Sequence, residues 1–103
     1  MIGFLGTGRI TEAMVEGLSA YGEAPPIIVS PRNAETAWRL VASFPNVAVA
    51  RDNQEVLDRA ATIVVALRAE DAAGILRALA FRADHLVVTV IGTMARDAVA
   101  ALV

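Results

Sequence analysis

The glycine-rich stretch GFLGTG at residues 3–8 is the first feature of the chain whose residue types and spacing suit a chemical role. An apolar segment precedes it and a helical pattern follows it. The start of such a helix offers free N–H groups and a positive dipole end to an anion. Gly6 and Gly8 match the first two glycines of the dinucleotide pattern G-x-G-x-x-G/A, whereas Thr11 occupies the third position, and we expect Ala13 to take over its close helix–strand contact. The alternative is a plain tight turn between a strand and a helix.

The segment SPRN at residues 30–33 lies at the end of the second predicted strand and bears on the choice of dinucleotide. NAD-specific domains place Asp or Glu about 20 residues beyond the glycines, where the carboxylate accepts the ribose 2′-OH. Here there is no carboxylate, and the Ser30 hydroxyl and the Arg32 guanidinium are suited to a 2′-phosphate. The segment therefore predicts NADP. In the alternative interpretation, Ser30 and Asn33 only cap the second helix and Arg32 lies in solvent.

Apolar stretches alternate with helical stretches along the whole chain. This alternation predicts parallel strands joined by helical crossovers, a sheet covered on both faces, and hence the α/β class. We expect a single domain over residues 1–103, with a Rossmann-type, doubly wound parallel sheet and three αβα layers. The predicted strands are 1–5, 27–30, 47–50, 61–67 and 86–91, and the predicted helices are 10–21, 33–44, a short helix after the capping pair Asp52 and Glu55, 70–81 and 94–103.

Composition excludes several classes of function. The net charge of −2, with nine basic residues that are all Arg, gives no general attraction to nucleic acid or to an anionic membrane surface. The absence of cysteine excludes disulfides and thiolate sites, and the carboxylates form no metal-ligand pattern. No apolar run approaches the roughly 20 residues of a membrane-spanning helix, and the first residues do not have the pattern of a signal peptide. We expect a cytoplasmic protein without metal, nucleic-acid or membrane partners.

A few conspicuous residues receive structural roles. The only histidine, His85, is predicted to be structural or to face solvent, since no nucleophile or carboxylate accompanies it. Glu70 and Asp71 favour the dipole at a helix start. Ile10 is expected on the buried face of the first helix, and Trp38 is expected to pack rather than to stack on a nucleotide.

Four segments, in matching order and spacing, resemble the N-terminal domain of the pyrroline-5-carboxylate reductase family: IGFLGTGRITEAM, IIVSPRN, DNQEVLDRAATIVVALRAED and VVTVIG. The resemblance implies an enzyme of proline biosynthesis in which NADPH, bound in a Rossmann domain, delivers hydride to the C=N bond of 1-pyrroline-5-carboxylate. It also implies a C-terminal helical domain that completes the substrate site and forms a homo-oligomer. We expect that this domain is absent from the present chain and that residues 1–103 alone lack the substrate site.

The resemblance also implies a set of cofactor-binding residues, whereas catalytic residues stay unassigned. The turn from Leu5 to Ile10 would hold the pyrophosphate. Ser30 and Arg32 would hold the 2′-phosphate, and Asn53 would lie on the adenosine side. The remaining residues would lie at the nicotinamide end. The full set is Leu5, Gly6, Thr7, Gly8, Arg9, Ile10, Ser30, Arg32, Asn53, Ala66, Leu67, Arg68 and Ile91. For Asn53, the alternative is a first-turn helix residue beside the cap Asp52.

Departures from the family pattern bear on the identity of the substrate more than on the identity of the cofactor. Arg68 and Ala69 stand where the family has Lys-Pro, and residues 90–93 are bulkier than the family's small loop. Another NADP-dependent oxidoreductase therefore remains an alternative, such as a relative of the F420-dependent NADP reductases or of the β-hydroxyacid dehydrogenases. A non-catalytic nucleotide-sensing module is the alternative from a different class.

Overall fold

The computed structural model describes residues 1–20, 23–31 and 33–90, within which five strands alternate with four helices. The predicted helix over 94–103 and the predicted site residues Arg32 and Ile91 lie outside the described residues. The strands are β1 (Ile2–Leu5), β2 (Ile27–Val29), β3 (Val47–Val49), β4 (Thr62–Val65) and β5 (Leu86–Thr89), and the helices are α1 (Arg9–Ser19), α2 (Ala34–Ser43), α3 (Asn53–Arg59) and α4 (Ala69–Arg77).

The strands form one parallel sheet in the order β3-β2-β1-β4-β5. Strands β1, β2 and β3 lie side by side in chain order toward one edge of the sheet. The chain then crosses back through α3, and β4 and β5 extend the sheet from β1 toward the other edge. The loops after β1 and β4 consequently diverge at the carboxyl edge and leave a crevice between them, as in other doubly wound sheets. The predicted α/β Rossmann class is confirmed.

Apolar side chains from both faces of the sheet form two cores. On one face, Phe4 and Val29 pack with Val15 of α1 and Leu40 of α2. On the other face, the core contains residues of β1, β2, β4, α3 and α4, namely Leu5, Ile28, Ile63, Val56, Leu57 and Leu76. These two cores confirm the three-layer αβα arrangement, with the central strands β1 and β2 buried on both sides.

Some predictions of burial are wrong. Ile10 is 53% exposed and Trp38 is 62% exposed, because each lies one residue, about 100° around the helix, from a core-facing position. Ala13 is also exposed and cannot make the close contact expected of it. The fifth strand is not fully buried either. It forms the edge of the described sheet and exposes Leu86 and Val88.

Arg82 and His85 hold the C-terminal end of α3. The Arg82 guanidinium donates to the carbonyls of Leu57, Asp58 and Ala60 at 3.1–3.2 Å. The His85 Nδ1 atom accepts the Arg82 backbone N–H at 2.9 Å, so its Nε2 atom carries the proton and donates to the Leu57 carbonyl at 2.8 Å. These carbonyls form the negative end of the helix dipole and suit a cation. The predicted structural role of His85 is confirmed.

Replacing Arg82 with Met is expected to lower the free energy of unfolding by about 1–2 kcal/mol, because three carbonyls lose a charged donor. Urea denaturation measures the change. Arg77→Met, an exposed substitution in the last turn of α4, is the control and should shift the same quantity by less than about 0.5 kcal/mol. Equal effects of the two substitutions would contradict this role of Arg82.

Candidate functional site

The loops that follow β1 and β4 line a cavity of about 450 Å³ at the carboxyl edge of the sheet. Six of the predicted site residues meet there: Gly6, Thr7 and Gly8 from the first loop, and Ala66, Leu67 and Arg68 from the second. An adjoining cavity of about 720 Å³ shares Gly8 with the first and extends past Arg9 and Ile10. The sequence therefore identified both loops of the crevice.

The glycines at positions 6 and 8 have different surroundings. Gly6 has a φ of +93°, and a Cβ there would stand 2.5 Å from the carbonyl oxygen of Ala66. A Cβ at Gly8 would meet no atom of the protein within 4 Å, although Gly8 lines both cavities. The backbone geometry therefore requires glycine at position 6. At position 8, glycine leaves space for a molecule in the cavity.

Three buried hydroxyl groups lie beneath the glycine turn. The Ser30 Oγ atom accepts the Gly6 N–H at 2.9 Å, and the Thr7 hydroxyl donates to the Ser30 carbonyl at 2.6 Å. From helix α1, the Thr11 hydroxyl donates to the Gly6 carbonyl at 2.6 Å. Ser30 and Thr11 are 0% exposed and Thr7 is 3% exposed. The structure thus places Ser30 below the turn, whereas the sequence predicted its hydroxyl at a 2′-phosphate.

Thr11 also explains the departure from the dinucleotide pattern. It occupies the third glycine position, where close packing of helix and strand ordinarily requires Gly or Ala. Its side chain is fully buried, and its one polar group bonds the Gly6 carbonyl of the turn itself. A threonine fits here because its hydroxyl fastens the helix to the turn.

Helix α1 presents its N-terminus to the cavities. Its N-cap Gly8 has no side chain to bond the first N–H groups, and the first helical bond runs from the Glu12 N–H to the Gly8 carbonyl. The N–H groups of Arg9 and Ile10 therefore lie ahead of any intrahelical acceptor. Together with the positive end of the dipole, they form an arrangement that attracts an anion.

Leu5 and Asn53 lie away from the central cavity. Leu5 is 0% exposed with its side chain in the core, and its carbonyl accepts the Ala66 N–H at 2.9 Å. Asn53 is the first residue of α3 and lines a third cavity of about 430 Å³ with Pro31. The predicted cap of α3 is confirmed, since the Asp52 carboxylate accepts the Glu55 N–H at 2.8 Å.

Sequence reasoning missed two arginines near these cavities. Arg39 of α2 lines the second cavity and is paired with Glu12 of α1. Its position depends on how two helices pack, which no local pattern reveals. Arg51 lines the third cavity beside Pro31. The sequence does carry a signal for Arg51, since it lies two residues after β3, at the carboxyl edge of the sheet.

The part of the chain that the structure describes gives two further negative findings. None of its helices is long and apolar enough to cross a membrane. In the same residues, histidine and carboxylate side chains form no group of three that would hold a metal ion.

Comparisons with known proteins agree with this geometry. Residues 1–95 match the model of a family described as NADP oxidoreductase, coenzyme F420-dependent. Among solved structures, 1-pyrroline-5-carboxylate reductase from Streptococcus pyogenes superposes with a TM-score of 0.80 at 17% identity. The match covers 98% of this chain and 37% of that chain, and at this identity it shows a shared fold. No curated protein matches the chain.

Substitution of the two glycines by Ala should separate their roles. Gly6→Ala is expected to lower the free energy of unfolding by roughly 1–3 kcal/mol, because Ala disfavours a positive φ and its Cβ would meet Ala66. Gly8→Ala should lower it less, by about 0.5–1 kcal/mol, because its Cβ meets no atom but Ala is a poorer N-cap than Gly. Thermal unfolding measures both changes. The control is Gly17→Ala in helix α1, where a Cβ would meet nothing within 4 Å. This substitution should stabilise the protein, because Ala favours a helix more than Gly does. If Gly8→Ala were as destabilising as Gly6→Ala, Gly8 would be a structural residue.

Proposed function

The chain belongs to the family of coenzyme F420-dependent NADP oxidoreductases, and we propose that the crevice between its β1 and β4 loops binds NADP(H). The observation that carries the proposal is the glycine turn. Gly8 lines the crevice, begins helix α1 and has open space where a Cβ would stand. A phosphate in this place approaches the backbone closely and meets the positive end of the helix dipole.

We assign the pyrophosphate to the start of α1. The N–H groups of Gly8, Arg9 and Ile10 are the donors, and the exposed Arg9 side chain supplies a positive charge beside them. When bound, the dinucleotide supplies the hydride. The chain binds it, orients it and sets the electrostatic environment.

The adenosine half extends toward the third cavity in this proposal. Asn53 and Pro31 line that cavity, as does the exposed Arg51. For the 2′-phosphate we assign Arg32, from its place in the sequence after β2. The absence of any carboxylate in residues 30–33 supports NADP over NAD, since an acid there would repel the extra phosphate.

The nicotinamide end lies at the loop after β4. Ala66, Leu67 and Arg68 line both the first and the second cavity, and Arg68 is exposed there. Ile10 and Val90 line the second cavity, which provides room for a small substrate beside the nicotinamide. We assign Ile91 to the same end from the sequence alone.

For the reaction, we propose hydride transfer from NADPH to a cyclic imine of the pyrroline-5-carboxylate type, in the pathway of proline biosynthesis. The four sequence segments that resemble this reductase family support it, as does the fold shared with the Streptococcus pyogenes enzyme. The chain spans about 37% of the length of that enzyme. A further helical domain that completes the substrate site and forms a homo-oligomer is therefore part of the proposal.

The description of the matching family favours coenzyme F420 as the second candidate for the hydride partner.

Titration with NADPH and NADH tests the cofactor assignment. NADPH should bind more tightly, and Arg32→Ala should weaken NADPH by about 10- to 100-fold, because a charge-assisted bond to the 2′-phosphate is lost. The same substitution should change NADH affinity less than about twofold, since NADH has no 2′-phosphate. Isothermal titration calorimetry gives both dissociation constants, with Arg77→Ala as the control. Equal affinity for the two dinucleotides would contradict the roles of the 30–33 segment.

Turnover separates the candidate substrates. The assay uses a protein in which a second, helical domain accompanies residues 1–103. Addition of pyrroline-5-carboxylate to this protein and NADPH should lower the absorbance of NADPH. Oxidation of NADPH only in the presence of coenzyme F420 would favour the second candidate. Tight binding of NADPH with no turnover of either compound would instead make the chain a nucleotide-sensing module.

A further inference from the structure

A closed set of hydrogen bonds joins the end of β2 to the glycine turn after β1. The Ser30 Oγ atom accepts the Gly6 N–H at 2.9 Å and lies 3.0 Å from the Thr7 Oγ1 atom. The Thr7 hydroxyl donates to the Ser30 carbonyl at 2.6 Å. We propose that Ser30 and Thr7 are positioning residues, which hold the turn in the conformation that binds pyrophosphate. This inference rests on the proposed function.

Neither the Ser30 hydroxyl nor the Thr7 hydroxyl has a proton left to donate to a phosphate. A hydroxyl group has one proton. The Thr7 proton is used on the Ser30 carbonyl, so the Ser30 proton is the one that bridges to Thr7 Oγ1. Ser30 is also 0% exposed. Its hydroxyl therefore acts on the turn and not on the 2′-phosphate.

The bonds fix the peptide groups on both sides of Gly6. Its N–H is held by Ser30, and its carbonyl is held by the Thr11 hydroxyl from helix α1. Ser30 is itself held by the sheet, since its N–H donates to the Phe4 carbonyl at 3.0 Å. With Gly6 at a φ of +93°, these contacts set the direction in which the chain enters Gly8 and α1.

This role makes a different prediction from direct recognition. The pyrophosphate is present in both NADPH and NADH, whereas the 2′-phosphate is present only in NADPH. Ser30→Ala leaves the buried Gly6 N–H without its acceptor and loosens the turn. It should weaken NADPH and NADH by the same factor, about tenfold, and leave their affinity ratio unchanged.

Adenosine 2′-monophosphate provides the decisive probe, because it has the 2′-phosphate but no pyrophosphate. Its affinity, measured by NMR titration, should change less than twofold in Ser30→Ala. A general structural defect would weaken this probe together with the dinucleotides. The control is Ser43→Ala, a substitution of an exposed serine in α2, which should change none of the three affinities.

A second pair of variants applies should Ser30→Ala fail to fold. Thr7→Val removes the hydroxyl while keeping the shape of the side chain, and Thr7→Ser restores the hydroxyl. Thr7→Val should weaken both dinucleotides about equally, and Thr7→Ser should retain wild-type affinity. Loss of NADPH affinity alone, or no loss at all, in Thr7→Val would overturn the inference. Wild-type protein that binds neither dinucleotide would contradict the proposed function itself.

Discussion

The hydrogen bond from the Gly6 N–H to the Ser30 hydroxyl is the contact on which the rest of the site depends. It joins the carboxyl ends of the two adjacent central strands, β1 and β2. Because both partners are buried, breaking it leaves a polar group without solvent as a replacement partner. The direction in which the chain leaves β1 and enters α1 depends on how this peptide group is held.

The sheet topology gives that contact its functional meaning. In the order β3-β2-β1-β4-β5, the helices that follow the adjacent strands β1 and β4 pack on opposite faces of the sheet. The glycine turn, Ala66 and Arg68 line one cavity at this point. A tight turn on a different sheet would have the same local geometry without a cavity beside it. The alternative of a plain tight turn, which the sequence left open, accounts for Gly6 and for Gly8 as the N-cap of α1. It does not account for the cavity that both glycines line.

Much of this arrangement was predictable from the sequence, since alternation of apolar and helical stretches reports the element order and the glycine pattern reports the turn. The role of Ser30 was not, because residue type alone does not tell whether a hydroxyl at a strand end points outward to a ligand or inward to the next loop. Thr11 counted against the dinucleotide pattern in sequence, yet its hydroxyl supports the turn. Ile10 and Trp38 were misplaced because a shift of one residue rotates a helical side chain from core to solvent.

We propose that the start of α1 binds the pyrophosphate of NADP(H) while the Gly6 N–H stays bonded to Ser30 within the protein. Amide resonances recorded by NMR during titration with NADPH test it most directly. Binding of the pyrophosphate at the start of α1 should shift the resonances of Gly8, Arg9 and Ile10 strongly. The Gly6 amide should be protected from hydrogen exchange both before and after binding. Shifts confined to other parts of the chain, or a Gly6 amide that exchanges freely with solvent, would contradict it.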